Sequence, residues 1–294
     1  MERKLKYHTG AYVLEEQERD GVLFLTYPLL EQTKMVKHGF STRVGGVSEG
    51  IFGTMNLSFT RGDDEAAVQE NFRRIGNAIG VKPEQMVLSK QTHTTNVREV
   101  TKKDCGNGIV RENTFEDVDG FVTNEPGVCL ATFYADCVPL YFVDPVKRAI
   151  GLSHSGWRGT VGKIGKITVE KMRECYGSDP KDILAAVGPS ICQSCYEVSE
   201  DVIGQFRENF REDLWSDLFY RKSNGKYQLN LWKANESVFI EAGIRPEHMA
   251  ITNVCTCCNS ELLFSHRASQ GRRGNLGAFL AIKEDMDERN LINE

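Results

Sequence analysis

The middle of the chain is a succession of short apolar runs that are not separated by helices. Their length and their content of β-branched and aromatic residues are typical of strands. A parallel α/β sheet needs a helix between successive strands, so this order indicates an α+β fold with a mixed β-sheet and flanking helices. The predicted strands cover residues 86–88, 120–123, 128–134, 140–143, 149–153, 183–187 and 278–282.

Four segments have the periodicity of amphipathic helices that pack on such a sheet. The strongest covers residues 64–77, with Val68, Phe72 and Ile75 on one stripe and Gly80 as a stop signal. The other three cover residues 160–176, 199–210 and 231–242. Because no linker or repeat divides the chain, we interpret residues 1–294 as a single catalytic domain, with about 35 N-terminal residues as a peripheral strand extension.

Charge and composition restrict the possible partners. The formal net charge is −5, so the basic bias of a general nucleic-acid surface is missing, although small anionic ligands remain compatible. Residues 1–10 are polar and basic, and the most apolar early stretch is too short to span a bilayer. Nine cysteines, an odd number, indicate reduced thiols. We therefore expect a cytoplasmic protein without a membrane or nucleic-acid partner, and the oligomeric state stays open.

Three segments carry reactive side chains just beyond predicted strands, where substrates can reach the rim of a sheet. They contain His93, Cys137 and His154. A thiolate and two imidazoles suit zinc, and three protein ligands leave a position for a water molecule that the ion activates. The wide spacing is not a local metal motif, so a core cysteine with two unrelated surface histidines fits the same residues.

Asp136, which precedes Cys137, is a further candidate for catalysis. It would act as a general base, or as a partner that orients His93 or His154. A capping or turn role fits this residue equally well.

Segments rich in glycine and arginine supply candidate substrate contacts. Glycines let the backbone approach a ligand, and arginines pair with phosphate or carboxylate. Ordinary solvated loops are the alternative interpretation. Neither a GxGxxG fingerprint nor a P-loop is present, so we do not predict a dinucleotide or a kinase-type mechanism. The candidate contacts are Ser41, Arg43, Gln91, Arg267 and Arg272.

Five more cysteines lie in two groups in the second half of the chain. A closed structural zinc site with four cysteine ligands is one interpretation, since such sites use four protein ligands. We favour packing of reduced thiols at this point. The residues are Cys192, Cys195, Cys255, Cys257 and Cys258.

Taken together, a set of ordered strings resembles the YfiH/YlmD family, also called the laccase-domain or polyphenol oxidase family. The strings run in order from about residue 38 to 280, so the resemblance covers nearly the whole chain. They are HGFSTRVGGVS, MNLSF, QTHTTNV, VDGFVTN, ADCVPLYFVD, GLSHSGWRGT, GPSICQSCYEV and FSHRASQGRRG.

This resemblance implies a single α+β domain with the fold of the family and of the catalytic domain of cytotoxic necrotizing factor (CNF). It implies a zinc ion held by His93, Cys137 and His154. It also implies phosphorolysis of the purine nucleosides adenosine, inosine, guanosine and methylthioadenosine, and deamination of adenosine. Arg43 and Arg267 would contact the substrate or an anion. Ala268 stands where a second arginine often follows in the family, so Arg272 competes with Arg267 for this role.

Two other functions stay open. One is a Cys–His hydrolase or amidase acting on peptidoglycan-type substrates, with Cys137 as nucleophile and His154 as base. The other is a copper-dependent polyphenol oxidase, because copper(II) outranks zinc in intrinsic affinity. A multicopper cluster needs many histidines, however, and this chain has six and no His-x-His pair.

Overall fold

Two six-stranded sheets and one small three-stranded sheet form the framework of the protein. The computed structural model describes residues 4–284. The strands in this range are β1 (Glu15–Arg19), β2 (Val22–Thr26), β3 (Val36–Ser41), β4 (Met86–Leu88), β5 (Val97–Glu99), β6 (Gly120–Thr123), β7 (Cys129–Tyr134), β8 (Val138–Asp144), β9 (Ala149–Ser155), β10 (Leu184–Val187), β11 (Glu197–Val198), β12 (Phe219–Arg221), β13 (Tyr227–Leu229), β14 (Met249–Ile251) and β15 (Leu276–Ile282).

Both large sheets are mixed. The first has the order β1-β2-β3-β15-β7-β4, the second has the order β14-β10-β8-β9-β6-β5, and the small sheet has the order β11-β13-β12. Most neighbours are antiparallel, whereas β4–β7, β5–β6 and β10–β14 are parallel pairs. The chain passes from the first sheet to the second in the short turn between β7 and β8. The predicted α+β class with mixed pairing is confirmed, with two large sheets in place of one.

Helices cover the outer faces of the two large sheets. Phe72 and Ile75 of α2 pack with Phe24 and Phe279 of the first sheet, and Met172 of α4 packs against the second. The order of layers is therefore helix, sheet, sheet and helices. The helices are α1 (Pro28–Glu31), α2 (Glu65–Ile79), α3 (Trp157–Val161), α4 (Ile164–Tyr176), α5 (Glu200–Asn209), α6 (Trp215–Leu218), α7 (Leu231–Glu241) and α8 (His266–Ser269).

The central strands are buried on both faces, which explains why they are continuously apolar in sequence. Every residue of β8 and β9 is buried. In β8, Tyr141 and Val143 face the core between the sheets, and Leu140 and Phe142 face the helices. The same alternation directs Leu152 of β9 into the space between the sheets.

The predicted helices are present, with one break. Helix α2 begins after Asp64, whose side chain accepts a hydrogen bond from the N–H of Ala67, and ends at Gly80 with φ +85°. The single helix predicted over 160–176 is two helices, α3 and α4. Lys163 between them has φ +58°, and an L-residue in this left-handed conformation cannot continue a right-handed helix.

The N-terminal strands β1 and β2 lie at one edge of the first sheet. The outer strand β1 is mostly exposed, whereas Phe24, Leu25 and the following Tyr27 are fully buried. This segment is therefore peripheral in the sheet but contributes to the core.

Among residues 4–284, none of the helices has the length and apolar character that crossing a bilayer requires.

Candidate metal centre and active site

His93, Cys137 and His154 meet at one end of the space between the two large sheets. His93 lies in the loop after β4, Cys137 in the turn between β7 and β8, and His154 near the C-terminal end of β9. The antiparallel register pairs Pro139 of β8 with His154, so Cys137, two residues earlier, lies on the same side of the sheet. The fold thus joins three residues that are far apart in sequence.

The three donor atoms are close enough to share one ion. His93 Nε2 lies 3.9 Å from Cys137 Sγ, and all three donors lie within 4.8 Å of one another. Zinc bonds of about 2.0–2.3 Å at tetrahedral angles require donors about 3.3–3.8 Å apart. The residues therefore fit a zinc ion in both chemistry and spacing, and they fill three of its four positions.

Asp119, which is not among the residues predicted from the sequence, connects two of the three donor residues. Its buried carboxylate accepts hydrogen bonds from the backbone N–H groups of Thr92 (3.1 Å), His93 (3.1 Å) and Thr94 (2.9 Å). It also lies 2.8 Å from Nδ1 of His154, which leaves Nε2 of that ring for a metal. One side chain therefore positions both histidines.

The backbone of His93 needs this support because its φ is +66°, a conformation that non-glycine residues rarely adopt. Asp119 itself immediately precedes β6, whose Gly120 pairs with Ser153 of β9. The carboxylate is thus anchored beside His154 by the sheet. The string VDGFVTN, which contains Asp119, was the available sequence signal.

Cys137 and His154 form a charged pair. Burial raises the pKa of the Cys137 thiol, but the charge of His154 and hydrogen bonds from His154 and His93 lower it further, to about 6. Burial lowers the pKa of His154, but the Cys137 thiolate and Asp119 raise it to about 9. Thiolate and imidazolium therefore stabilise each other, so the sulfur is present as the anion that binds metals and attacks electrophiles.

Gly156 closes the wall next to the three donors. A Cβ added at this position would lie 2.9 Å from His93 Cδ2 and 3.2 Å from Cys137 Sγ. Both distances are too short for unstrained contacts, so a side chain here would push His93 and Cys137 apart and disturb the candidate metal centre.

We expect Gly156→Ala to lower the zinc content of the purified protein by displacing His93 and Cys137. Metal analysis of the folded variant measures this effect. Gly204→Ala is the matched control, because Gly204 lies in α5 and a Cβ there meets no atom within 4 Å. This control should retain full metal content, and alanine in a helix should raise its stability by about 0.4–1 kcal/mol. Equal zinc in the two variants would contradict the close-contact interpretation.

The donors open into a cavity of about 750 Å³, within the usual size range of small-molecule sites. Its walls include aromatic rings that offer flat apolar surfaces and four cationic side chains that offer anion contacts. The aromatic residues are Phe59, Phe133 and Tyr134, and the cationic residues are Arg61, Lys90, Arg111 and Arg273.

Arg273 is the buried cation of this cavity. Its Nε has no hydrogen-bond partner within residues 4–284, while Nη1 donates to the backbone oxygen of Gly274 and to Asn275. Burial, together with the charge of Arg61, lowers the pKa of Arg273 to about 10. An anion bound beside Arg273 and Arg61 would relieve both effects and occupy the free N–H.

Asp136 holds the turn that presents Cys137. Its buried carboxylate accepts hydrogen bonds from Thr256 Oγ1 (2.7 Å) and from the backbone N–H of Arg267 (2.7 Å). With φ +88°, Asp136 turns the chain sharply between β7 and β8. These contacts match the turn role, whereas the place beside His154 belongs to Asp119.

The structure places most of the predicted substrate contacts outside the cavity wall. Ser41 accepts a hydrogen bond from the N–H of Gly277 inside the first sheet. Arg43 donates to the backbone oxygens of Gly53 and Ser260, both at 2.9 Å. Its guanidinium lies over the ring of Phe264. Ser41 and Arg43 therefore bind the backbone of neighbouring segments.

The two C-terminal candidates also lie outside the cavity wall. Arg267 donates to the backbone oxygens of Cys195 and Glu197, and Arg272 is exposed. Gln91 does line the cavity, with its amide bonded to both the N–H and the C=O of Phe133. Among the arginines of this C-terminal segment, Arg273, the neighbour of Arg272, lines the cavity.

Residues 37–283 match the family described as "Multi-copper polyphenol oxidoreductase laccase". The purine nucleoside phosphorylase YlmD of Bacillus subtilis is 36% identical over 256 residues, which cover 86% of this chain and 91% of that protein. The crystal structure of YlmD from Geobacillus stearothermophilus has a TM-score of 0.85 and 35% identity, covering 92% of this chain and 99% of that one. The crystal structure of the hypothetical protein YfiH from Bacillus licheniformis has a TM-score of 0.86 and 31% identity, covering 93% of this chain and 100% of that one.

Similarity over nearly the whole length, in sequence and in fold, agrees with the ordered strings found in the sequence. This chain therefore belongs to the YfiH/YlmD family, whose sequence model carries the description of a polyphenol oxidoreductase laccase.

Proposed function

We propose that this protein is a zinc-dependent purine nucleoside phosphorylase that accepts adenosine, inosine, guanosine and methylthioadenosine and also deaminates adenosine. The names of its relatives support the first activity. The observation that carries the proposal is the shared cavity. An incomplete His–Cys–His donor set, aromatic rings and buried Arg273 all border the same space of about 750 Å³.

In phosphorolysis, an oxygen of inorganic phosphate bonds to C1′ of the ribose while the bond from C1′ to the purine nitrogen breaks. The electron pair of that bond goes to the base, which takes up a proton, and the products are the free base and ribose 1-phosphate. Positive charge develops on the sugar as in other glycosyl transfers. Arg273 and Arg61 can hold the phosphate dianion, and Phe133 and Tyr134 can pack against the flat base.

His93, Cys137 and His154 would hold the zinc ion, with Asp119 fixing both histidines. Zinc in such a site acts as a Lewis acid towards an oxygen of the substrate or a water molecule. The chain prepares this site without the substrate, because the hydrogen bonds of Asp119 already fix the loop of His93 and the ring of His154.

Deamination of adenosine would use the same cavity with water in place of phosphate. Water adds to C6 of the purine, and ammonia leaves, so inosine is the product. Because both reactions start from adenosine, their products separate them. Phosphorolysis gives adenine and needs phosphate, whereas deamination gives inosine without phosphate.

The decisive experiment combines metal analysis with product analysis. The purified protein is incubated with adenosine or inosine, with and without phosphate, before and after treatment with a chelator. We expect phosphate-dependent release of the free base that chelation abolishes and zinc restores. Base release by fully metal-free protein would reject the zinc-dependent mechanism.

We expect Arg273→Gln to raise the KM for phosphate by about 10- to 100-fold, because a charge-assisted hydrogen bond contributes about 1.5–3 kcal/mol. Arg272→Gln is the matched control, since the exposed neighbour is not in the cavity wall. Initial rates at varied phosphate measure both. Arg61→Gln, also at the cavity and exposed, serves if Arg273→Gln folds poorly. A larger effect at Arg272 than at either cavity residue would contradict this assignment.

A Cys–His hydrolase is the second candidate, because Cys137, His154 and Asp119 have the arrangement of a nucleophile, a base and an orienting carboxylate. In this alternative the sulfur would attack the carbonyl carbon of an amide substrate, such as a peptidoglycan-type peptide. The C–N bond would break, the amine would leave with a proton from His154, and water would then hydrolyse the thioester. Chelation should abolish activity if zinc performs the chemistry and spare it if the thiolate does. A thiol-blocking reagent applied with the metal bound should show the opposite selectivity.

The charged pair predicts the pH dependence of alkylation in metal-free protein. The pKa of Cys137 is lowered from 9.0 to about 6, so the thiolate forms, and reacts, as the pH rises through about 6. Mass spectrometry of the peptide that contains Cys137 gives the rate of alkylation at each pH. The thiol of Cys105, whose pKa is raised by burial, is an internal control that should react only at higher pH. A midpoint near 9 for Cys137 would contradict the pairing with His154.

A copper-dependent oxidase is tested by the same metal analysis. Within residues 4–284, the His–Cys–His site offers three donor residues, two of them histidines, and this number suits one ion. Copper(II) can compete for such a site because of its higher intrinsic affinity. Copper as the metal of the native protein, with phenol oxidation and no phosphorolysis, would favour the oxidase.

A further inference from the structure

A second cluster of metal-binding side chains lies apart from the candidate active site. It contains His8, Cys192, Cys255 and Cys258, whose donor atoms all lie within 4.8 Å of one another. The residues come from three segments: the N-terminus, the loop between β10 and β11, and the loop after β14. Three thiols and an imidazole form one of the common donor sets of structural zinc.

Backbone N–H groups already point at one of the sulfurs. The N–H of Cys192 lies 3.2 Å from Cys255 Sγ, and the N–H of Cys258 lies 3.4 Å from the same atom. Such N–H groups stabilise a thiolate, which is the form that binds a metal. Cys255 and Cys258 have C-x-x-C spacing. The chain turns between them, which brings the N–H of Cys258 to the sulfur of Cys255.

The exposed His8 is held at this cluster by its backbone. Its N–H donates to the oxygen of Asn253 at 2.8 Å, and Tyr7 forms a bridge with Val254. Its ring lies nearly perpendicular to that of Trp232, with 5.6 Å between the centroids. The N-terminal segment therefore runs beside the chain that leads directly into Cys255.

We infer that His8, Cys192, Cys255 and Cys258 bind a second zinc ion, which has a structural role. Four protein donors close a tetrahedral zinc site, whereas the three donors beside the cavity leave a position open. Binding converts the thiols to thiolates and releases their protons. Soft sulfur donors with one imidazole favour zinc over calcium or magnesium, which prefer oxygen.

The position of the cluster indicates what the ion stabilises. The ion would connect the N-terminal segment to the loop between β10 and β11 and to the loop after β14. Thr256, between two of the ligands, donates a hydrogen bond to Asp136, the residue before Cys137. The structural ion would thus also support the turn that carries a ligand of the first metal.

Counting zinc in the purified full-length protein tests this inference. We expect two zinc ions per chain in the wild type and one in His93→Asn. One is also expected in Cys258→Ser, with the first site still loaded. His8→Ala should retain its fold because His8 is exposed, and it should lose the second zinc to a chelator at least about tenfold faster than the wild type. Cys175→Ser and His248→Ala, outside both clusters, are matched controls that should keep two.

Cobalt(II) gives a readout that is independent of activity. In the His93→Asn protein loaded with cobalt, thiolate ligation should produce sulfur-to-metal charge-transfer absorption that Cys258→Ser weakens. The same protein with cobalt should show slow reaction of its clustered thiols with a thiol reagent, and chelation should accelerate the reaction.

Several results would overturn the inference. One zinc per wild-type chain and none in His93→Asn would leave no second site. A disulfide among these cysteines in protein purified without oxidant would show that they pair with each other instead. Loss of the second zinc in Cys195→Ser with retention in His8→Ala would also reject the proposed set, because Cys195 Sγ lies 3.5 Å from Cys258 Sγ and could take the fourth place.

Discussion

Under the proposed function, His93→Asn is expected to reduce nucleoside turnover on the order of 10³-fold and to abolish zinc binding at the candidate metal centre. Lewis-acid stabilisation by a metal contributes several kcal/mol, and each 1.4 kcal/mol, roughly, corresponds to a tenfold change in rate. Asparagine is a better replacement than alanine because His93 has φ +66°, a conformation that asparagine adopts more readily. The loss then reports the imidazole and not backbone strain.

Metal analysis, circular dichroism and phosphorolysis of inosine measure the three parts of this expectation. His248→Asn is the control, since this histidine lies outside both metal-binding clusters. Phosphorolysis retained by a folded, zinc-free His93→Asn protein would remove the metal from the mechanism. If the second, structural ion exists, His93→Asn should still contain one zinc per chain, so the two proposals fail separately.

Asp119→Asn is the second substitution with a large expected effect. The native carboxylate accepts three backbone N–H groups, the Thr94 hydroxyl (2.9 Å) and the His154 ring. An amide of the same size has one acceptor oxygen and turns an NH₂ group towards N–H donors. Buried donors without acceptors cost about 1–3 kcal/mol each, so we expect the free energy of unfolding to fall by about 3 kcal/mol.

The same change should weaken zinc binding by about 10- to 100-fold, because residues that orient metal-bound histidines have effects of this size. Chemical denaturation and competition with a chelator measure the two effects. Asp117→Asn is the matched control: Asp117 is exposed, its φ of +50° suits asparagine, and it contacts the same loop through Thr92 Oγ1 at 2.8 Å. Similar zinc affinity in both variants would contradict the positioning role of Asp119.

Elements with strong local patterns were predictable from the amino-acid sequence. Helix α2 has a complete apolar stripe between a capping aspartate and a glycine in the left-handed conformation, so its ends are encoded locally. Strands β8 and β9 are continuously apolar because both faces are covered. The short strands β11 and β12 were not predicted, since few of their residues carry an apolar pattern.

The contacts of charged side chains depended on the tertiary structure. Asp136 adjoins Cys137 in sequence, yet Asp119 adjoins His154 in space, because β6 and β9 are paired in the second sheet. Arg43 lies in a motif of the family, yet its guanidinium binds backbone oxygens, and Arg273 faces the cavity instead. Neighbours across a sheet are set by strand register, which no local pattern records.

The sequence by itself determined the α+β class and the family, and the resemblance to that family implied the three residues of the candidate metal centre. These follow from residue types and their order, which carry local propensity, burial and donor chemistry. Only the tertiary structure decided that Asp119 holds two histidines, that Arg273 reaches the cavity, and that His8 lies with three cysteines. Each of these depends on segments far apart along the chain, which strand pairing and the packing of the two sheets bring together.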